Sequence, residues 1–81
     1  MTLYEFNSLD GSQQYEHLWE DGVHIGERQE GEYRIILYQI HSFYVELYYH
    51  MDHNALKRLR SFASTNPLEP YLKQGNIDEL L

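Results

Sequence analysis

Residues 44–60 read YVELYYHMDHNALKRLR, and histidines, a carboxylate and a basic run stand close together there. His50, Asp52 and His53 combine two imidazoles and a carboxylate within four positions. On one turn of a helix such a set could ligate zinc. A stable zinc site needs three or four ligands and an outer shell that orients them. His17, His24 and His41 are too distant in sequence to complete it locally. With His50 at a strand end and His53 at a loop tip, the two rings should diverge. The favoured reading is a solvated hairpin loop, with metal or small-ligand binding through His50 and His53 as the alternative.

Other chemistry is thinner. His41 and Ser42 are neighbours in sequence. A nucleophile needs a base held beside it in three dimensions and an oxyanion site, which adjacency does not supply. The stretch DGSQQ lacks the spacing of a phosphate-binding loop. Glu46 lies between Tyr44 and Tyr48 and could be a buried acid, although an ion pair with Arg58 or Arg60 suits it better. No catalytic residue, cofactor or metal is therefore expected, and the chain reads as a non-enzyme.

The elements that must position these residues follow from periodicity. Thr2 with Glu5, and Asp10 with Gln13, have the spacing of capping boxes, in which each side chain accepts the other residue's backbone amide. Tyr15, Leu18 and Trp19 then recur at the three-and-four spacing of a helix stripe, and Gly22 offers a left-handed stop. This predicts helices over 2–8 and about 11–21, or one helix bent at Asp10-Gly11. The stretches VHIGERQ, EYRIILYQI and FYVELYYHM carry the β-branched and aromatic residues that suit a pleated surface. Turns at Glu30-Gly31 and His41-Ser42 would join them. Two-residue turns favour glycine or asparagine, so the second could be longer.

Residues 55–63, ALKRLRSFA, fit either an amphipathic helix or a fourth strand. The strand is preferred, because a ribbon of two or three strands is marginal alone and Asp52-His53-Asn54 suits a three-residue hairpin loop. That loop would set Met51 opposite Ala55, Glu46 opposite Arg60 and Tyr48 opposite Arg58. A turn at 30–31 would set Glu27 opposite Arg34. Asn66 as cap, Pro67 at the first helical position and Gly75 as stop predict a C-terminal helix carrying Leu68, Tyr71 and Leu72. NIDELL could add a last turn that docks Leu80 and Leu81.

The expected architecture is α+β over one domain, 1–81: an N-terminal helix or helix pair, a four-stranded antiparallel meander and a C-terminal helix. The runner-up is a three-stranded sheet with residues 54–64 as an extra helix. Alternation sorts the meander into two faces. One would carry Val23, Ile25, Ile36, Tyr38, Ile40, Phe43, Val45, Leu47, Leu59 and Ala63, and should take the helices. The other would carry Tyr33, Ile35, Leu37, Gln39, Tyr44, Glu46, Tyr48, His50, Leu56, Arg58, Arg60 and Phe62.

That second face mixes tyrosine, arginine and apolar groups, the composition of a contact surface. Tyr44, Glu46, Tyr48, His50, Arg58 and Arg60 are its candidate interaction residues, facing a second copy of the chain or another protein. The competing expectation is that the C-terminal helix crosses this face and covers it.

Composition narrows the partners. The net charge is −7, and residues 1–33 hold eight acids against one base, Arg28. A negative field repels phosphate backbones, which excludes direct nucleic-acid binding as an expectation. A basic or mixed-charge protein surface is the better match, and an acidic decoy that blocks a basic nucleic-acid-binding protein is a further alternative. At 42% hydrophobic residues the chain can build a small core. No apolar run approaches the roughly 18 residues of a membrane span. The first residues lack the charge and apolar pattern of a secretory signal, and cysteine is absent, as fits a reducing cytoplasm.

Overall fold

The computed structural model describes residues 1–74. The two capping boxes form as the spacing requires. Thr2 Oγ1 accepts the Glu5 amide at 3.1 Å, and Glu5 Oε1 accepts the Thr2 amide at 2.8 Å, opening α1 (Leu3–Asn7). Asp10 Oδ1 and Gln13 Oε1 repeat the exchange at 2.8 and 3.2 Å and open α2 (Gly11–Asp21). The chain thus makes two helices, and the Gln14 side chain ties them, its Nε2 donating to the Phe6 carbonyl at 3.0 Å. Gly22 ends α2 in an extended conformation (φ −78°, ψ 145°), not the expected left-handed one. Glycine matters there for space: a Cβ would lie 2.5 Å from the Leu18 carbonyl oxygen.

Four antiparallel strands follow in the order β1-β2-β3-β4: Val23–Glu30, Tyr33–Ile40, Phe43–His50 and Ala55–Phe62. The ambiguous segment 55–63 is a strand. His41-Ser42 makes a two-residue turn with His41 at φ 54°. The first turn is Gly31-Glu32, one residue later than expected, because Gly31 takes the left-handed position at φ 57°. Glu27 therefore faces Ile36, not Arg34. The ion pair still forms along the diagonal, which long side chains can span, with Arg34 Nη2 2.9 Å from Glu27 Oε2.

The last hairpin has a four-residue loop, Met51–Asn54, and pairs His50 with Ala55 where Met51 was expected. Asn54 takes the left-handed position, φ 50°. A register shift at Tyr48/Tyr49 compensates by leaving Lys57 unpaired. Glu46 then faces Arg60, and Tyr48 faces Arg58, as the charges predict.

Helices pack on both faces of the sheet, over part of the second. On one, Phe6 and Leu18 from the helix pair pack on Ile40, Phe43, Val45 and Leu47, with Tyr38 and Leu59 at the margin. Three members of the expected face are elsewhere. A bulge between His24 and Gly26 inserts Ile25 as an extra residue. Ile25 consequently packs with the opposite cluster, His24 joins Tyr38, and Val23 stays 61% exposed. Ala63 lies past the end of β4 and is exposed.

On the second face Leu37 and Phe62 receive Leu68 and Tyr71. These come from a 3-10 turn, Asn66–Leu68, continuing into α3, Glu69–Gln74. Asn66 is the first residue of that turn and not its cap; its amide donates to Ser64 Oγ at 3.2 Å. Burying Leu68 and Tyr71 completely contributes roughly 1.5–3 kcal/mol each, enough to hold so short an element down. The expected stop at Gly75 and the NIDELL turn lie outside the described residues.

Candidate functional site

The meander brings the six candidate residues to one face, but α3 divides them. Glu46 sits at its centre with 0% exposure. Its Oε2 accepts the Tyr71 hydroxyl at 2.6 Å and lies 3.4 Å from Arg28 Nη2. Its Oε1 lies 3.5 Å from Arg60 Nη1 and 3.4 Å from the Tyr48 hydroxyl. A buried charge is tolerated only when paired and hydrogen-bonded, and here two guanidiniums and two phenols do this. Burial first, then the Glu46 carboxylate beside it, pushes the Tyr71 hydroxyl well above the usual phenol range. Burial works against the charge on Arg28, yet its bond to Glu30 and the field of Glu46 raise its pKa overall. Arg28 also lies over the Tyr71 ring, 5.4 Å from its centroid. Its Nε is buried with no partner among the described residues. With both oxygens engaged and no exposed surface, Glu46 fastens α3 to the sheet.

Tyr44 and Arg60 belong to the covered half, where Tyr44 stacks on Phe62 at 5.6 Å and Arg60 lies over the same ring at 5.5 Å. Tyr48, His50 and Arg58 belong to the half beyond α3. Arg58 lies 5.2 Å over the Tyr48 ring, and His50 meets Tyr33 edge-on at 5.7 Å. Glu30, Tyr33, Tyr48, Lys57 and Arg58 line an open groove of about 310 Å³ on this half.

The histidines of the loop do not diverge as expected. His50 and His53 stack at 5.1 Å, because the loop has four residues and folds His53 back over the strand end. Glu32, from the neighbouring turn, places Oε2 3.2 Å from His50 Nε2. Ligand atoms of Glu32, His50 and Asp52 fall within 4.8 Å of one another, the spacing of a metal site. The hydrogen bonds say what holds them together. The Asp52 amide donates to His50 Nδ1 at 3.3 Å. A backbone N–H can only donate, so Nδ1 is the bare nitrogen and Nε2–H donates to Glu32. Metal on Nε2 would put the proton on Nδ1, against that amide, whereas ligating histidines use their second nitrogen as a donor.

A further site lies on the helix side. The expected stripe of α2 buries only Leu18; Tyr15 is 43% and Trp19 83% exposed. Together with His24, Tyr38 and Leu47 they line a groove of about 240 Å³ between α2 and the sheet. Burial, with Tyr15 nearby, raises the pKa of Tyr38. Burial first, then the neighbouring Tyr15, which favours the protonated form, pushes Tyr49 up to about 12. This groove was missed in the sequence because an i, i+3, i+4 stripe reads as core. Arg28 was missed too, though a lone base in an acidic segment was a usable signal.

Comparison with protein-family models, curated proteins and solved structures finds no match. No helix among the described residues is long and apolar enough to cross a membrane.

Proposed function

We propose that this chain is a non-enzymatic protein-interaction module that receives a partner in the aromatic groove between α2 and the sheet. The observation that carries the reading is Trp19, 83% exposed at the edge of a groove lined by Tyr15, His24 and Tyr38. Tryptophan and tyrosine dominate the energetics of protein contacts, since they supply large rigid area at little entropic cost. Groove size favours a protein partner over a small molecule. At about 240 Å³ it falls below the roughly 300–1,000 Å³ of ligand pockets and suits one inserted side chain. The absence of cysteine agrees with a cytoplasmic setting.

A photoactivatable amino acid in place of Trp19 tests this in cells that make the protein. A discrete adduct to another protein is expected from position 19, with none from the same probe at Ser12. Equal labelling from both positions, or none from position 19, rejects the groove as a contact.

A second reading, self-association, is favoured by the half of the sheet face beyond α3. There Tyr33 is 37% exposed beside Tyr48 and Arg58, whereas Leu56, expected on this face, pairs with Tyr49 on the helix side because Lys57 is an extra residue in β4. Sedimentation at high concentration should then report a dimer that Arg58→Glu dissociates. A clean monomer removes this reading.

A further inference from the structure

We infer that the occupant of the Trp19 groove is a basic, arginine- or lysine-bearing segment of the partner protein. This rests on the interaction reading and adds the partner's chemistry. The helix α2 carries charge against its own stability. Glu16, Glu20 and Asp21 are exposed, and the last turn of the helix has no basic residue. Carboxylates at a helix C-terminus oppose the macrodipole, and Glu16 with Glu20 is a like-charge pair at the unfavourable i, i+4 spacing. Five of the six lysines and arginines are engaged elsewhere: Arg28 with Glu30 and Glu46, Arg34 with Glu27, Arg60 with Glu46, Lys73 with Glu69, and Arg58 over Tyr48; the sixth, Lys57, lines the groove beyond α3. His41 places its Nε2 3.7 Å from Asp21 Oδ2, and no lysine or arginine among the described residues forms an ion pair with the acids of α2.

Trp19 stands in the middle of this field, three residues after Glu16 and next to Glu20. An exposed indole face flanked by uncompensated carboxylates suits a cation. The indole attracts a guanidinium or ammonium through its quadrupole, and the carboxylates pair with the same charge. The groove beside it accepts the apolar stem of a long basic side chain.

Trp19 is the only tryptophan in the chain, so its emission reports on the site directly. Titration of the full chain with blocked hexa-arginine should quench or shift that emission, and hexa-glutamate should not. Binding should weaken as salt is raised, by screening. The double variant Glu16→Gln/Glu20→Gln should bind about tenfold more weakly. Trp19→Ala, followed by calorimetry, should lose a similar factor. The matched variant Glu30→Gln/Glu32→Gln, at the far end of the first hairpin, should bind as the parent does. Hexa-arginine that binds without moving Trp19 emission overturns the proposal, as does equal weakening by the two charge variants. A position-19 adduct in cells together with no hexa-arginine binding also overturns it, while leaving the interaction reading intact.

Discussion

The Tyr71 hydroxyl donates to the buried Glu46 carboxylate at 2.6 Å, joining residues 25 positions apart and fixing α3 to the sheet. Hydrogen bonds to charged groups contribute roughly 1.5–3 kcal/mol, so Tyr71→Phe should destabilise by about 2 kcal/mol. Glu46→Ala should cost more, about 3 kcal/mol or above, because it strips a buried partner from Arg28. Denaturant unfolding checks both. Amide exchange should show α3 losing protection before the sheet does in Tyr71→Phe. A loss below about 0.5 kcal/mol in both variants would mean that packing alone seats α3.

Three tyrosines with raised pKa predict an alkaline limit to stability. Tyr38, Tyr49 and Tyr71 all hold their protons more tightly folded than unfolded, chiefly through burial. The unfolded chain therefore deprotonates first as pH rises. Their contribution is complete below pH 10, the ordinary phenol value, and is lost as pH climbs through the folded values, which for Tyr49 is about 12. The unfolding midpoint should fall steadily above pH 10. Phenolate absorbance should show these three titrating late, together with loss of structure. Early titration of all eight tyrosines in the folded protein would contradict the burial.

Much of this fold was legible because local signals agreed with one another. Both capping boxes, the strand at 55–63 and the pairing of Glu46 with Arg60 are readable from residue type and spacing. What was not legible depends on single inserted residues. The bulge at Ile25 sends that side chain to the opposite cluster and exchanges the faces of Val23 and His24, and side-chain alternation has no term for an extra residue. The loop at 51–54 and the unpaired Lys57 shift register in opposite senses, so the right charge pairs emerged from a loop counted one residue short. The role of Tyr71 was hidden for another reason. A six-residue helix has an apolar stripe but no signal for which sheet face it crosses.

The caps themselves should be measurable. Asp10→Ala removes the side chain that accepts the Gln13 amide, and Thr2→Ala does the same for Glu5. Each should cost about 1 kcal/mol. The loss in Asp10→Ala should be larger in effect, because α2 supports Leu18 in the core whereas α1 contributes Phe6 from a single turn. Denaturant midpoints of the two variants check the order.

Zinc should leave the protein indifferent. The proton on His50 Nε2 is directed at Glu32 and the lone pair on Nδ1 at the Asp52 amide, so no donor atom of that ring is free for a metal. Stoichiometric zinc should not move the melting temperature of untagged protein. A rise that His50→Gln abolishes would show that the loop rearranges to ligate, with Glu32 and Asp52 as its other ligands.

The charge on α2 leads to the sharpest expectation, because stability and binding should move in opposite directions. Glu20 lies in the last turn of α2, where the dipole end is already negative, and four residues after Glu16. Glu20→Lys reverses both interactions: a cation replaces an anion at the C-terminus, and a Glu-to-Lys i, i+4 pair replaces a like-charge one. Dipole and pair effects of roughly 0.3–1 and 0.2–0.5 kcal/mol add to a gain of about 1 kcal/mol in folding stability. The same lysine neutralises the field beside Trp19 and should abolish hexa-arginine binding. A variant that is both more stable and unable to bind would mean that α2 keeps its carboxylates for a partner and not for the fold. A variant stabilised yet binding normally would place the cation elsewhere, and one with unchanged stability would mean that the acids of α2 are already relieved within the chain.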